Sequence, residues 1–371
     1  MRTIDGIYAS ANVFSNTAED YAIAQIKMIC DNEASKGSKI RVMPDVHPGK
    51  VGPIGLTMTI GERILPQLIG IDIGCGVSMM KLKNKKMEFQ RLDSVIRKEI
   101  PSGKQIRRQP HHKSQEFDVS RLLCSKHVQA QKALCSLGTL GSGNHFLEID
   151  KDEEGCLYAV IHSGSRHLGK EVTDYYMAEG QKYLKAQGIK VPYELTYLEG
   201  DLKAAYLHDL QIVQEFAEWN REIILTELAK QMKWKELDYQ SCVHNYVDMS
   251  GKQYILRKGA ISAKKGETVI IPINMRDGIL LGTGLGNPEW NESAPHGSGR
   301  ILSRAEAKEH HSVSDFKKMM KGIYTSCVGS QTLDEAPFAY RGAEEIIAAI
   351  GDTVTISQII RPVYNFKADG K

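Results

Sequence analysis

The side chains most able to do chemistry lie in five short segments, four of them framed by glycine. In Gly70 to Gly76, Asp72 and Cys75 stand three residues apart. A carboxylate and a thiolate on one turn are a pair of metal ligands in the making. The glycines on either side of Cys75 allow a tight turn and a close backbone approach. In Gly141 to Glu148, a Gly-Ser-Gly turn able to present backbone N–H groups to an anion leads into Asn144, His145 and Glu148. In His162 to Gly169, an apolar run gives way to a small-residue turn and then a helical pattern, a geometry suited to phosphate, and Arg166 adds a planar cationic fork. The GxxxxGK[ST] phosphate loop is absent. The fourth segment is Cys242-Val243-His244-Asn245. In the fifth, Ala294 to Arg300, His296 sits between Pro295 and a Gly-Ser-Gly-Arg run. Such a histidine is accessible and lies beside a cation, which suits a nucleophile or acid–base group acting on a phosphoryl centre.

Taken together, Asp72, Cys75, His145, His162 and His244 offer one carboxylate, one thiolate and three imidazoles, a set able to hold one or two divalent transition ions. None follows the close CxxC or HExxH spacing of zinc sites. Manganese, iron, cobalt and zinc all remain compatible. These segments run from Gly70 to Arg300 and act together only if the fold gathers them.

The elements that must do so are legible in outline. Helical spacing of apolar residues predicts helices over Asn16 to Ala34, His167 to Gln187, Glu199 to Met232 and Gly342 to Ile350. Strand-like runs cover Ile40 to Met43, Gly55 to Ile60, Val77 to Leu82, Leu157 to His162, Gln253 to Arg257, Thr268 to Ile273 and Thr353 to Val363. Helices and strands mix without a regular βαβ alternation. This predicts an α+β fold with large mixed or antiparallel sheets packed with helices. No linker, repeat or low-complexity stretch divides the chain, so a single domain over residues 1–371 is expected.

Composition excludes several classes. With 42% hydrophobic and 25% charged residues the chain is neither disordered nor coiled-coil. It has no apolar run of membrane-spanning length and no signal-peptide core at its start. Seven Cys in a chain this long point to a reducing compartment, and a cytoplasmic location is expected. The net charge of +3 conceals a basic stretch. From Lys81 to Lys113 there are 11 Lys and Arg against 3 Asp and Glu, a local +8 in a chain whose remainder is −5. That stretch is a candidate surface for a phosphate backbone, although only Phe89 within it could stack on a base.

In this order the segments resemble the RtcB family of GTP-dependent RNA ligases over nearly the whole chain. The resemblance begins at Met43-Pro44-Asp45-Val46-His47-Pro48-Gly49 and passes through the five segments above. It continues in Arg257-Lys258-Gly259-Ala260 and in Asp334-Glu335-Ala336-Pro337 with Tyr340, and ends at Lys367. It implies a single α+β domain with its active site in a central cleft. The implied activity is a ligase that joins 3′-phosphate or 2′,3′-cyclic phosphate RNA ends to 5′-hydroxyl ends, in RNA repair or tRNA splicing, using GTP and two manganese ions. On matching positions, Asp72, Cys75, His145, His162 and His244 are the implied metal ligands, with Cys75 shared between the ions. His296 is the implied nucleophile that takes GMP. Asn144, Asn245, Arg166 and Arg300 would handle phosphates, and Glu148, Tyr340 and Lys367 would lie near the guanine nucleoside.

One segment departs from the family pattern. After Ile271-Pro272, where relatives carry a Gly, Ser and Met loop that contacts the nucleotide, this chain has Ile273-Asn274-Met275-Arg276-Asp277-Gly278 and then Gly282 to Asn287. No nucleotide contact is carried over to residues 273–287. Two other readings use the same residues: a 3′-end guanylyltransferase or cyclic-phosphate hydrolase that stops before joining, and a non-catalytic protein that binds RNA ends.

Overall fold

The apolar runs of the sequence assemble into two large sheets; the computed structural model describes residues 1–368. In chain order the strands are β1 (Arg2–Asp5), β2 (Ser10–Val13), β3 (Ile40–His47), β4 (Ile54–Thr59), β5 (Gly76–Leu82), β6 (Phe146–Lys151), β7 (Leu157–Ser163), β8 (Glu236–Val243), β9 (Asn245–Asp248), β10 (Ile255–Lys258), β11 (Ala260–Ser262), β12 (Thr268–Asn274), β13 (Gly278–Gly284), β14 (Ser293–Pro295) and β15 (Val354–Phe366). The helices are α1 (Asp20–Cys30), α2 (Phe89–Glu99), α3 (Ala130–Ser136), α4 (Arg166–Ala186), α5 (Gly200–Met232), α6 (Arg304–His310), α7 (Val313–Met319) and α8 (Ala343–Ile350).

One sheet has the order β1-β2-β3-β4-β10-β9, antiparallel except for the β2–β3 pair. The other runs β12-β13-β15-β6-β7-β5-β8 and is antiparallel throughout. A short β11–β14 ribbon lies beside them. The expected α+β class with large mixed and antiparallel sheets is the class observed.

Every residue of β7 is buried, because both faces of the larger sheet are covered. On one face, Leu147, Ile149, Ala159 and Ile161 meet Leu92 and Ile96 of α2 and Ile224, Leu225 and Leu228 of α5. On the other face, Val77, Met79 and Val160 pack against Ile270, Ile279 and Leu281 from the β12–β13 end of the same sheet. The sheet curls until its edge strands face each other, with Cys242 Sγ on β8 3.4 Å from Thr268 O on β12. Helix α5 is 33 residues long and joins two cores. Its Leu210, Val213 and Phe216 pack with α1 and α4, and its later turns pack under the larger sheet.

The predicted helices α4, α5 and α8 agree with the structure to within a residue or so, while α1 is four residues shorter at each end than the predicted Asn16 to Ala34. Several elements were not predicted from sequence, and three of them bear on the site. Strand β8 is a half-exposed polar edge, β13 is rich in glycine, and α2 lies in the basic stretch. Residues 273–287 form the β12–β13 hairpin with a tight turn at Met275 to Asp277, followed by the start of a loop. Gly278 opens β13 at φ +86°, and a Cβ there would lie 2.0 Å from Ile360 O on β15. Gly278→Ala should therefore destabilise the fold by about 2 kcal/mol or more in chemical denaturation; an unchanged midpoint would mean that the hairpin is not seated against β15 as described.

Candidate active site

Four neighbouring strands of the larger sheet, β6-β7-β5-β8, alternate in direction. The start of β6, the end of β7, the start of β5 and the end of β8 therefore lie side by side at one end of the sheet. The residues there are His145 just before β6, His162 near the end of β7, Cys75 just before β5 and His244 just after β8. Register places Phe146 opposite His162 and Gly76 opposite both Ser163 and Val243. Strands are about 4.8 Å apart, so side chains at this end converge. Cys75 Sγ lies 3.4 Å from His145 Nε2 and 3.3 Å from His162 Nε2. His162 Nε2 lies 3.3 Å from His244 Nε2, and His145 Nε2 lies 3.0 Å from Asp72 Oδ2. Two triads result, Cys75 with His162 and His244, and Asp72 with Cys75 and His145, each with donor atoms within 4.8 Å of one another. Cys75 belongs to both.

This donor set fits divalent transition ions. His145 Nδ1 is 2.8 Å from Leu140 O and His162 Nδ1 is 3.0 Å from Asn144 O, which leaves each Nε2 turned into the cluster. Burial holds His162 and His244 well below the usual histidine range, so both are neutral imidazoles, the form that ligates. Burial alone would raise Asp72, but its contact with His145 holds it down to about 2. Burial and the neighbouring Asp72 push the Cys75 thiol up. A bound dication would displace that proton.

Close approach here depends on glycine. A Cβ on Gly164 would fall 2.1 Å from Asp72 Oδ1, and one on Gly141 would fall 1.9 Å from an Arg166 guanidinium nitrogen and 2.6 Å from His145 Nδ1. Below the cluster, α5 presents two buried polar side chains. Arg221 donates from Nη1 to Gly74 O at 2.8 Å and to Ser163 O at 3.0 Å, tying together the backbone beside Cys75 and His162. Asn220 accepts from Thr139 N and donates to Thr139 O, Ser163 Oγ and Gly164 O.

His296 follows β14, on the opposite wall, with its ring centroid 4.8 Å from that of His244. Its Nδ1 is 2.8 Å from Oδ2 of the fully buried Asp45 on β3. With Nδ1–H donated to the carboxylate, the Nε2 lone pair is free. The neighbouring His47 accepts no charge in this setting: burial lowers it to about 4. A cavity of about 340 Å³ joins these walls. Asn144, Glu148, Asn245, Arg300, Tyr340 and Lys367 all line it, as do Phe146, Asn274, Arg304 and Glu335.

Glu335 organises the cationic side of the cavity. It accepts from Lys367 Nζ at 2.7 Å and Tyr340 OH at 2.5 Å, and pairs with Arg300 at 3.2 Å and Arg304 at 2.5 Å. Burial would raise its carboxyl, yet these three cations hold it well below the usual range. Asp334 also pairs with Arg304 and with Lys308, so four cations around two carboxylates leave net positive charge for phosphates. Glu148 accepts from Asn365 at 2.8 Å. Burial pushes Glu148 and its neighbour Asp150 upward together.

Two sequence-derived assignments look different in three dimensions. Arg166 does not line the cavity. It sits behind Asp72 at φ +55°, with its guanidinium donating to Thr139 Oγ1 and Gly103 O. The N-terminus of α4, expected to suit phosphate, offers the Ser165 N–H to Asp72 Oδ1 at 3.1 Å. The Asn245 amide is partly engaged too, with Gly259 N and Asp72 O. Asp45, His47, Phe146, Asn274, Arg304, Glu335 and Asn365 had no role assigned from sequence. Asp45 and Glu335 were nonetheless visible as carboxylates inside the Met43 to Gly49 and Asp334 to Pro337 motifs.

Lys258 on β10 is buried without a carboxylate partner among the described residues, and its Nζ donates to Val51 O at 2.6 Å and Gln67 O at 3.0 Å. It thereby ties down the loops that follow His47 and precede Asp72. Burial lowers its ammonium to about 8. The folded protein thus binds this proton less readily than the unfolded chain. The charged form opposes folding below pH 8, and the penalty fades as pH rises toward the ordinary lysine value. Relative to Lys258→Met, wild-type stability should rise by about 3 kcal/mol between pH 8 and 10.5; parallel stability curves would refute a buried, unpaired ammonium.

Comparison with known proteins gives the following likenesses. The family model described as tRNA-splicing ligase RtcB matches residues 32–368. The RNA-splicing ligase RtcB of Escherichia coli K12 is 30% identical over 363 residues, covering 87% of this chain and 88% of that protein. The tRNA-splicing ligases RtcB of Aeropyrum pernix and Nanoarchaeum equitans are 28% and 26% identical, covering 98% and 96% of this chain and 95% and 94% of theirs.

Proposed function

We propose that this chain, which belongs to the RtcB family, is an RNA ligase. In this reading residues 1–371 act as one domain, and it joins a 3′-phosphate or 2′,3′-cyclic phosphate end to a 5′-hydroxyl end at the expense of GTP. The observation that carries the reading is the pairing of His296 with buried Asp45 directly beside the Cys75 and histidine cluster. A free imidazole Nε2, backed by a carboxylate and facing a cationic wall, is an arrangement for nucleophilic attack on phosphorus. The names of the relatives, RNA-splicing and tRNA-splicing ligase, agree with it.

In this reading His296 Nε2 attacks the α-phosphorus of GTP. A P–N bond forms, the P–O bond to pyrophosphate breaks, and Asp45 stabilises the charge gained by the ring through Nδ1–H. Arg300 and Arg304 offset the triphosphate charge, and Tyr340 and Lys367 lie near the guanine nucleoside. Glu148, oriented by Asn365, and the Phe146 ring offer the guanine an acceptor and a stacking face. An RNA 3′-phosphate oxygen then displaces His296, giving a phosphoanhydride to GMP. The 5′-hydroxyl attacks the RNA phosphorus, loses its proton, and GMP leaves. A cyclic phosphate is first opened by water to the 3′-phosphate. Asp72, Cys75, His145, His162 and His244 would hold two manganese ions, which supply charge neutralisation at the phosphoryl oxygens. Arg166, tucked behind Asp72, would steady that ligand and contribute positive charge.

Incubation with α-³²P-labelled GTP and manganese should give an acid-labile, base-stable protein adduct, absent from His296→Ala. Asp45→Asn should retain the fold and lose on the order of a hundredfold or more in adduct rate, because the amide no longer enforces the tautomer with Nε2 free. With RNA ends added, a joined product separates ligation from guanylylation or hydrolysis alone; no adduct in wild type would remove the basis of the reading. Cobalt(II) titration of the metal-free protein should show about two equivalents bound and a thiolate-to-cobalt absorption band. Cys75→Ser should abolish the band; a band that survives would exclude Cys75 as a ligand.

A further inference from the structure

The basic stretch singled out in the sequence splits into two halves. Its early lysines, Lys83, Lys85 and Lys86, follow Leu82, at the end of β5 remote from Cys75. The seven residues of β5 put them about 20 Å away from the candidate ligands. Its later residues run back along the active-site wall. Gly103 N donates to Gly141 O at 2.9 Å, and Gly141 abuts His145. Four residues on, Arg107 N donates to Cys135 O at 2.9 Å, while its guanidinium donates to Leu137 O and Gly138 O. At most about 14 Å of extended chain separates these two anchor points.

Beyond Arg107 the surface opens into a groove between this segment and α3, lined by Ile106, Arg107, Arg108, Gln129, Gln131 and Lys132 among others. No carboxylate lines it among the described residues. Lys104, between the groove and the site, and Arg108 are exposed, Lys132 is partly exposed, and none of the three has an ion-pair partner among the described residues. Of the carboxylates near its rim, Glu171 is engaged by His167 and by Gln129 N, Glu227 by His111 and Glu99 by Lys98. Arg107 is spent on the backbone and fixes the groove floor.

We propose that this groove, with Lys104, Arg108 and Lys132 as its cations, carries the phosphate backbone of the broken RNA strand as it leaves the active site. The distal lysines Lys83, Lys85 and Lys86 do not take part. The inference rests on the ligase reading for its choice of RNA. Charge complementarity and the backbone tie from Gly103 to Gly141, beside His145, support it independently of the chemistry. Glutamine amides and an exposed Ile106, with no aromatic among the lining residues, suit a grip on phosphates and sugars that is indifferent to sequence.

The test uses full-length protein and a fluorescein-labelled single-stranded RNA ending in a 3′-phosphate, titrated by anisotropy across a range of KCl concentrations. K104E/R108E/K132E should weaken binding at least tenfold and lower the slope of log Kd against log salt by about 2, the value for three lost single-strand phosphate contacts. K83E/K85E/K86E carries the same change in net charge and should stay within about twofold of wild type in both quantities. K104Q/R108Q/K132Q should fall between, and thermal midpoints check that each variant is folded. Equal losses from the near and far triple variants, or no loss from the near one, would overturn the proposal. If wild type joins no RNA yet shows this groove-dependent salt slope, the ligase reading fails and the groove stands.

Discussion

Everything at the candidate site depends on antiparallel order in four adjacent strands. Because β6, β7, β5 and β8 alternate in direction, two strand starts and two strand ends meet at one end of one sheet. Side chains far apart in sequence are thereby set at inter-strand spacing without any long loop to steer them. A slip of one residue in any pair would turn a donor to the opposite face. Register must therefore be guarded, and Arg221 guards it from beneath. One guanidinium nitrogen holds Gly74 O and Ser163 O, so the ends of β5 and β7 cannot slide past one another without stranding a buried cation. Its own charge is met by Glu218 on the same helix, which Tyr239 and Ser241 of β8 also bind. The long helix thus reaches three of the four strands with polar contacts as well as with its apolar face.

Electrostatics divides the cavity into two territories. On the sheet side, burial keeps His162 and His244 neutral and ready to ligate, while His145 and Arg166 favour the ionised form of Asp72. On the other side, Glu335 gathers Arg300, Arg304 and Lys367 into one cluster, so that mutually repelling cations share a wall. His296 stands at the seam. Its Asp45 partner comes from the other sheet and Gly259 leaves room beside its ring, since a Cβ there would lie 3.3 Å from His296 Cε1 and 2.1 Å from Ile54 Cγ2. Both sheets must be formed for the two territories to face each other.

The sequence reveals most of the donors and little of what holds them. Asp72, Cys75, His145 and His162 stand out because glycines strip their surroundings of bulk, and the same glycines are what the packing requires at Gly141 and Gly164; His244 stands out only beside Cys242 and Asn245. The ends of β5 and β7 could be located, but not the adjacency of all four strands, because sheet order is a long-range property that no local pattern encodes. Arg221 and Asn220 lie within an otherwise apolar helical stripe and give no sign that they face strand ends. Arg166 shows the converse error. Its neighbours suggest a helix N-terminus open to phosphate, yet the carboxylate of Asp72 already occupies the Ser165 N–H. Strand β8 escaped notice because its polar, half-exposed residues carry no period, although it delivers His244.

The wide separation of the donors bears on how a metal is chosen. Only Asp72 and Cys75 are close in the chain; the contacts that complete the triads span 70 to 87 residues. During synthesis, no short segment among these five residues offers three donors at once, so the emerging polypeptide has no pre-made chelate with which to trap whichever ion is most tightly bound by free thiols and imidazoles. The full set exists only after the sheet has closed and backbone carbonyls have fixed two of the imidazoles. Selection among ions is thereby deferred to a finished cleft, where shape and entry path act alongside affinity.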